Sequence, residues 1–112
     1  IVAHMGGGIS VGFHKNGKVV DVNNGLGGQG PFSPERAGTL SPYTLIELMN
    51  NHDLPEVKKL ITGKGGLVSL IGSNDMRDLI KLVDEGNTEA KLYLEAMAYQ
   101  VAKEIIKNEI LI

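Results

Sequence analysis

Apolar residues enter the chain first as an unbroken run, Ile1-Val2-Ala3, then in alternation as Ile9, Val11 and Phe13, then as Val19, Val20 and Val22. Successive side chains of a strand point to opposite faces, so this pattern predicts strands. Ile1 to His4 is expected to be a short buried strand that stops at Gly6-Gly7-Gly8. Ile9 to Lys15 and Lys18 to Asn23 flank Asn16-Gly17. That dipeptide is a strong hairpin signal, because both central residues of a type I′ turn need positive φ. In the register such a turn sets, Lys15 opposes Lys18, Phe13 opposes Val20 and Val11 opposes Val22. The apolar side chains then share one face, and Ser10, Gly12, Asp21 and Asn23 take the other.

From Asn24 to Pro42 the periodicity disappears. Gly25, Gly27, Gly28, Gly30 and Gly38, with Pro31, Pro34 and Pro42, predict a loop. Beyond it the spacing turns helical. Ser41-Pro42 starts one helix through about Asn50, and Leu54-Pro55 opens another to about Ile61. Ser73 or Asn74 caps a third from Asp75 to Asp84, closed by Gly86. Asn87 caps the last, to about Asn108, whose Leu94, Met97, Ala98, Val101 and Ile105 form one apolar stripe read as core. Ile110-Leu111-Ile112 reads as strand-like. The 112 residues thus divide into a strand and hairpin (1–24), a glycine/proline loop (25–42) and a helical region (43–112), an α/β or α+β arrangement in a single domain.

Composition narrows this only a little. The chain is 42% hydrophobic and 21% charged, ordinary for a globular protein. A formal charge of −2 leaves no broad basic field for nucleic acid or an anionic membrane, so an anion site must consist of a few aimed donors. With no cysteine, disulfides and thiolate metal sites are excluded, and the cytoplasm is the default compartment. No signal-peptide pattern is visible, and no stretch nears the roughly 18 apolar residues of a spanning helix. Met5 to Ser10 spells a myristoylation string, but that modification needs glycine at the mature N-terminus. Both ends are strand-like runs, as if cut from something longer.

Three constellations can carry chemistry. In His4-Met5-Gly6-Gly7-Gly8-Ile9-Ser10, glycines permit positive φ and let a phosphate approach main-chain N–H groups with no Cβ in the way. Ser33-Pro34-Glu35-Arg36-Ala37-Gly38 holds a lone arginine able to stabilise charge on a transferring phosphoryl group. In Gly72-Ser73-Asn74-Asp75-Met76-Arg77, Asp75 can accept from a ribose hydroxyl while Met76 and Arg77 cover an adenine face. Each has a plain counterpart: a simple tight turn, a surface arginine paired with Glu35, a capped helix start. Gly25 to Gly30 matches G-x-G-x-x-G, but Pro31-Phe32-Ser33-Pro34 follows where the dinucleotide fold needs a helix, so a flexible substrate-side loop or a connector is expected there. Gly63-Lys64 is followed by glycine and lacks the upstream spacing of a P-loop.

Taken in order, IVAHMGGGISVG and KNGKVVDVNN, then GQGPFSPERAG, GKGGLVSLIGSND and EAMAYQVAKEI closely resemble the butyrate kinases over roughly residues 1 to 106. Those enzymes sit in the acetate kinase group of the sugar kinase, Hsp70 and actin superfamily. The resemblance implies an α/β fold that is a portion of an actin-like (ribonuclease H-like) ATPase domain, an N-terminal strand plus β-hairpin followed by about four helices. It implies ATP-dependent phosphorylation of butyrate or a related short-chain carboxylate to its acyl phosphate, reversibly, with Mg²⁺ arriving on the nucleotide. Partners would be ATP or ADP, the acid or acyl phosphate, and further copies in a homo-oligomer. Residue by residue, His4 begins the family's second phosphate motif and Gly6 and Gly8 are its glycines, with Gly7 where acetate kinases carry asparagine. Arg36 matches the arginine that stabilises the phosphoryl group, with His4 beside it as a second catalytic candidate. Asp75, Met76 and Arg77 match an adenosine-contacting triplet. No metal ligand is carried over. Whole enzymes of this kind close a cleft between two domains, so the chain by itself is expected to be an incomplete, inactive portion; the alternative is a non-catalytic fragment that binds nucleotide weakly at most.

Overall fold

The computed structural model describes residues 1–111. Strands β1 (Val2–Met5), β2 (Ile9–Lys15) and β3 (Lys18–Val22) form an antiparallel sheet in the order β1-β2-β3. The triple glycine is itself the bend joining β1 to β2, with Met5 opposite Ile9 and His4 opposite Ser10. Asn16 (φ 52°) and Gly17 (φ 75°) make the second turn, as their sequence predicts.

Two expectations for the sheet need correction. β1 lies at the edge and is largely exposed; Ala3 reaches the core, but Val2 and Met5 do not. The β2–β3 register holds only for Lys15–Lys18 and His14–Val19. A bulge then absorbs Val20, so that Phe13 faces Asp21 and Gly12 faces Val22. An extra residue in one strand slides the rest of its ladder by one position. Val20 and Val22, expected to share a buried face with Ile9, Val11 and Phe13, are exposed, as is the whole of β3. The shift also brings Asn23 alongside β2, where its Oδ1 accepts from Val11 N–H at 2.7 Å and its Nδ2 donates to the Ile9 carbonyl at 3.1 Å.

The helices are α1 (Pro42–Asn51), α2 (Leu54–Ile61), α3 (Leu67–Ile71), α4 (Met76–Asp84) and α5 (Thr88–Lys107). Ser41 caps α1, accepting from Thr44 N–H, and Asn87 caps α5, accepting from Ala90 N–H at 2.9 Å. Asp53 caps α2. α4 is capped by Asp75 and not by Ser73 or Asn74. Five-residue α3 was not expected; it fits between Gly66 (φ 59°) and Gly72 (φ 75°), two left-handed backbones that only glycine adopts readily. Past α5 the chain tightens into a 3₁₀ turn, Asn108–Leu111, in place of the strand expected at Ile110-Leu111, while Ile112 lies outside the described residues. Asn108 Nδ2 donates back to the Glu104 carbonyl at 2.9 Å and so continues the helical path.

The core forms where one sheet face meets α3, α4 and α5: Ile9 and Val11 pack with Leu67, Leu79, Ala90 and Met97. Leu67 and Leu79 are fully buried, each contributing about 1.5–3 kcal/mol of transfer free energy. Tyr93, Leu94, Val101 and Ile105 of α5 back this cluster. Among the described residues no helix is long and apolar enough to cross a membrane.

Candidate functional site

The triple-glycine bend is tied down from one side. Gly6 N–H donates to the Gly8 carbonyl at 2.9 Å. The Gly7 carbonyl accepts twice from the loop that follows Pro31: from Ser33 Oγ at 2.8 Å and from Glu35 N–H at 3.2 Å. In a trans peptide the C=O and the next N–H point in opposite directions. With the Gly7 carbonyl fixed towards that loop, the Gly8 N–H must aim away from it. Among the described residues neither Gly7 N–H nor Gly8 N–H has a partner in the chain. A bend with main-chain donors left over is what an anion requires.

None of these three glycines has the positive φ expected of them. Their value is the missing Cβ. A Cβ on Gly8 would collide with Arg36, meeting Nη1 and standing 2.6 Å from Cζ and 3.0 Å from Nε. One on Gly7 would stand 3.3 Å from a Glu35 carboxylate oxygen, and one on Gly6 3.4 Å from His4 Nε2. The guanidinium therefore occupies the space beside Gly8 that a Cβ would need.

His4, Gly8 and Arg36 line one cleft of about 520 Å³ together with Ser10, Asn23 and Gly25. His4 is exposed on β1, and Arg36 is half-buried. Gly25 to Gly30, expected to be flexible or a mere connector, is a pinned turn. Asn24 accepts from Gly27 N–H and Gln29 N–H, Gln29 Oε1 accepts from Asn24 N–H at 2.9 Å, and Asn23 Nδ2 donates to the Gln29 carbonyl at 2.9 Å. No helix follows it before Pro42, in keeping with the dismissal of a dinucleotide fingerprint.

Ser33 was not singled out from the sequence, yet it is fully buried and joins both halves of the site. Besides donating to Gly7, its Oγ accepts from Arg36 N–H at 3.2 Å. Its carbonyl accepts from Leu67 N–H at 3.0 Å, which ties the loop to the start of α3. Gly65 and Gly66 allow this approach: a Cβ at Gly65 would run into the Leu60 carbonyl, and one at Gly66 into the Ser33 and Arg36 carbonyls. The GKGG string is thus a close-packing element. Glu35, weighed as an ion-pair partner of Arg36, instead accepts from Asn74 Nδ2 at 2.7 Å.

The Asp75-Met76-Arg77 triplet sits at the start of α4. Asp75 accepts from Arg77 N–H at 2.9 Å, Nε at 3.0 Å and Nη2 at 2.7 Å. These hydrogen bonds hold the Asp75 carboxyl below the usual carboxylate range and raise Arg77 above its ordinary value. The Arg77 side chain is otherwise exposed. Met76 borders an apolar cleft of about 450 Å³ that runs from Met5 and Gly6 past Pro34 to Met97 and Val101, so the α5 stripe read as core also walls this opening. Through it the triplet and the glycine bend share one side of the molecule. Among the described residues no three His, Cys, Asp or Glu side chains gather as a metal site would need.

The acetokinase family profile matches residues 1–111. A propionate kinase from Francisella tularensis subsp. tularensis SCHU S4 superposes with a TM-score of 0.88 at 29% identity, over 98% of this chain and 29% of that one. An acetate kinase from Porphyromonas gingivalis gives 0.82 at 31% identity, over 92% and 27%. One from Entamoeba histolytica gives 0.86 at 25%, over 96% and 30%. The chain therefore spans under a third of the length of these solved relatives.

Proposed function

The chain belongs to the acetokinase family, and on that premise we propose that it is the part of an ATP-dependent carboxylate kinase that holds the nucleotide's phosphates and stabilises the phosphoryl group in transfer. The finer substrate proposed is butyrate or a related short-chain acid, carried from the motif resemblance, with the acyl phosphate as product and the reaction reversible. Partners on this reading are ATP or ADP, the acid or its acyl phosphate, and further copies of the protein in a homo-oligomer.

The observation that carries the proposal is the Arg36 guanidinium lying against Gly8, beside a bend whose Gly7 and Gly8 N–H groups are unpartnered. These residues fit a polyphosphate: the bend leaves two main-chain donors unused among the described residues, and the guanidinium lies beside Gly8 where no Cβ intrudes. Mg²⁺ would arrive on the nucleotide, since the described residues gather no ligand set for it. ATP, when bound, supplies the phosphoryl group. Gly7 and Gly8 N–H orient its oxygens, and Arg36 offsets the charge that spreads over them as the bond to the leaving oxygen loosens. His4, on the rim of the same cleft, is a further donor to that charge.

The test is acyl phosphate formation from butyrate and ATP, trapped with hydroxylamine, in the full-length protein. Arg36→Ala is expected to lower kcat by at least about 10²-fold. An unchanged rate would remove the proposed role. The short coverage of the solved relatives favours a second reading, in which the 112-residue chain alone is inactive and at most binds nucleotide. Turnover by that chain alone would overturn this second reading.

A further inference from the structure

Glu35 occupies a position that neither the glycine bend nor the Asp75 triplet accounts for. Its main chain is fixed at both polar groups. The N–H donates to the Gly7 carbonyl at 3.2 Å, and the carbonyl accepts from Gly63 N–H at 2.9 Å and Gly65 N–H at 3.1 Å. The side chain therefore leaves from a rigid point. Its carboxylate lies over Gly7, with one oxygen 3.3 Å from where a Cβ would stand, so that a side chain there would crowd it. The other oxygen accepts from Asn74 Nδ2 at 2.7 Å, across 39 positions of sequence. Asn74 immediately precedes Asp75, the cap of α4.

We propose that Glu35 is a positioning residue that latches Asn74, and with it the start of α4, to the glycine bend, holding the phosphate and nucleoside ends of one nucleotide in register. This rests on the function proposed above. Two opposed effects follow. The latch orders the Asn74–Arg77 segment before nucleotide arrives, which lowers the ordering cost of binding. The same carboxylate puts a negative charge beside a site for anions, which weakens binding of the phosphates. The two effects separate by substitution, because glutamine keeps an acceptor for Asn74 and discards the charge.

In the full-length protein, Asn74→Ala is expected to raise KM for ATP by about tenfold, the scale of one charge-assisted hydrogen bond that is partly exposed, and Glu35→Ala, which discards the charge as well as the latch, by about threefold. The double variant should be no worse than either single one, since both break one link. KM for the acid and kcat should stay within about twofold, and Glu35→Gln should lower KM for ATP a few-fold. A merely structural role would instead reduce kcat and thermal stability together, add in the double variant, and show no gain with glutamine; that pattern overturns the latch. Calorimetric titration with ADP reads the same binding losses without turnover. The two proposals fail separately. If Arg36→Ala leaves turnover intact, the functional reading fails. If Arg36→Ala abolishes turnover while Glu35→Ala and Asn74→Ala leave KM for ATP unchanged, the latch alone fails.

Discussion

Replacing Gly8 with alanine isolates the placement of Arg36 from everything else in the fold. Gly8 does not use a positive φ, so alanine adds no backbone strain. The atoms its Cβ would strike belong to the far end of a flexible side chain. To bring Arg36 Cζ from 2.6 Å to an ordinary contact near 3.4 Å, the guanidinium must retreat by about 0.8 Å, and the overlap with Nη1 demands more. That movement costs little stability: a change within about 0.5 kcal/mol is expected, since alanine also restricts the unfolded chain. Catalysis is far less tolerant. A misplacement near 1 Å costs on the order of 10²-fold, equivalent to about 2.7 kcal/mol of transition-state stabilisation. Hydroxamate trapping on the full-length protein should therefore show kcat down by about 10²-fold, with the denaturation midpoint unmoved. A Gly8→Ala enzyme with kcat within threefold of the parent would refute the reasoning, because the guanidinium would then be free to act from elsewhere.

Other substitutions probe the frame around it. Ser33→Ala leaves the Arg36 N–H without its buried acceptor and strips one of two donors from the Gly7 carbonyl, so unfolding free energy from urea titration should fall by about 1–3 kcal/mol. Gly66→Ala places a Cβ against the Ser33 and Arg36 carbonyls at φ 59°, where backbone must yield, and should cost at least about 3 kcal/mol or give no folded protein by circular dichroism. Asp75, held below its ordinary value of 3.8 by Arg77, adds stability above that pH and loses it as pH falls through the lower native value. In Arg77→Ala its carboxyl should titrate at higher pH, read from its carbon resonance by NMR; an unmoved titration would count against the pairing.

What the sequence discloses depends on how local the signal is. Asn16-Gly17, Ser41-Pro42 and Asn87 are each fixed by the conformation of two or three neighbouring residues, and each appears in place. The bulge at Val20 has no such mark. Alternation along Val19 to Asn23 is compatible with either register, and the decision rests on Asn23 reaching β2, a contact twelve positions away. α3 escapes because five residues between glycines carry no helical period. The terminal Ile110-Leu111 looks like strand by composition, yet it continues α5 as a 3₁₀ turn beyond its cap at Asn108. At the site, His4, Gly8 and Arg36 belong to compact strings and are found together in one cleft. Ser33, Glu35 and Asn74 matter through contacts with distant segments. A serine between prolines gives no hint that its hydroxyl holds up a bend 26 positions earlier.

The β2–β3 turn offers an experimental handle of a different kind. Strand β2 carries the chain from the glycine bend at Ile9 to Lys15, roughly 20 Å at the usual rise per residue, and a side chain grafted at Gly17 would meet open space. In a chain without cysteine, a single one introduced at Lys15 or Lys18 gives a unique attachment point within it for a fluorophore or spin label. Such a tag would ride on the same rigid ribbon as the cleft while standing clear of it, so that distance changes on adding nucleotide could be followed without touching the residues under study.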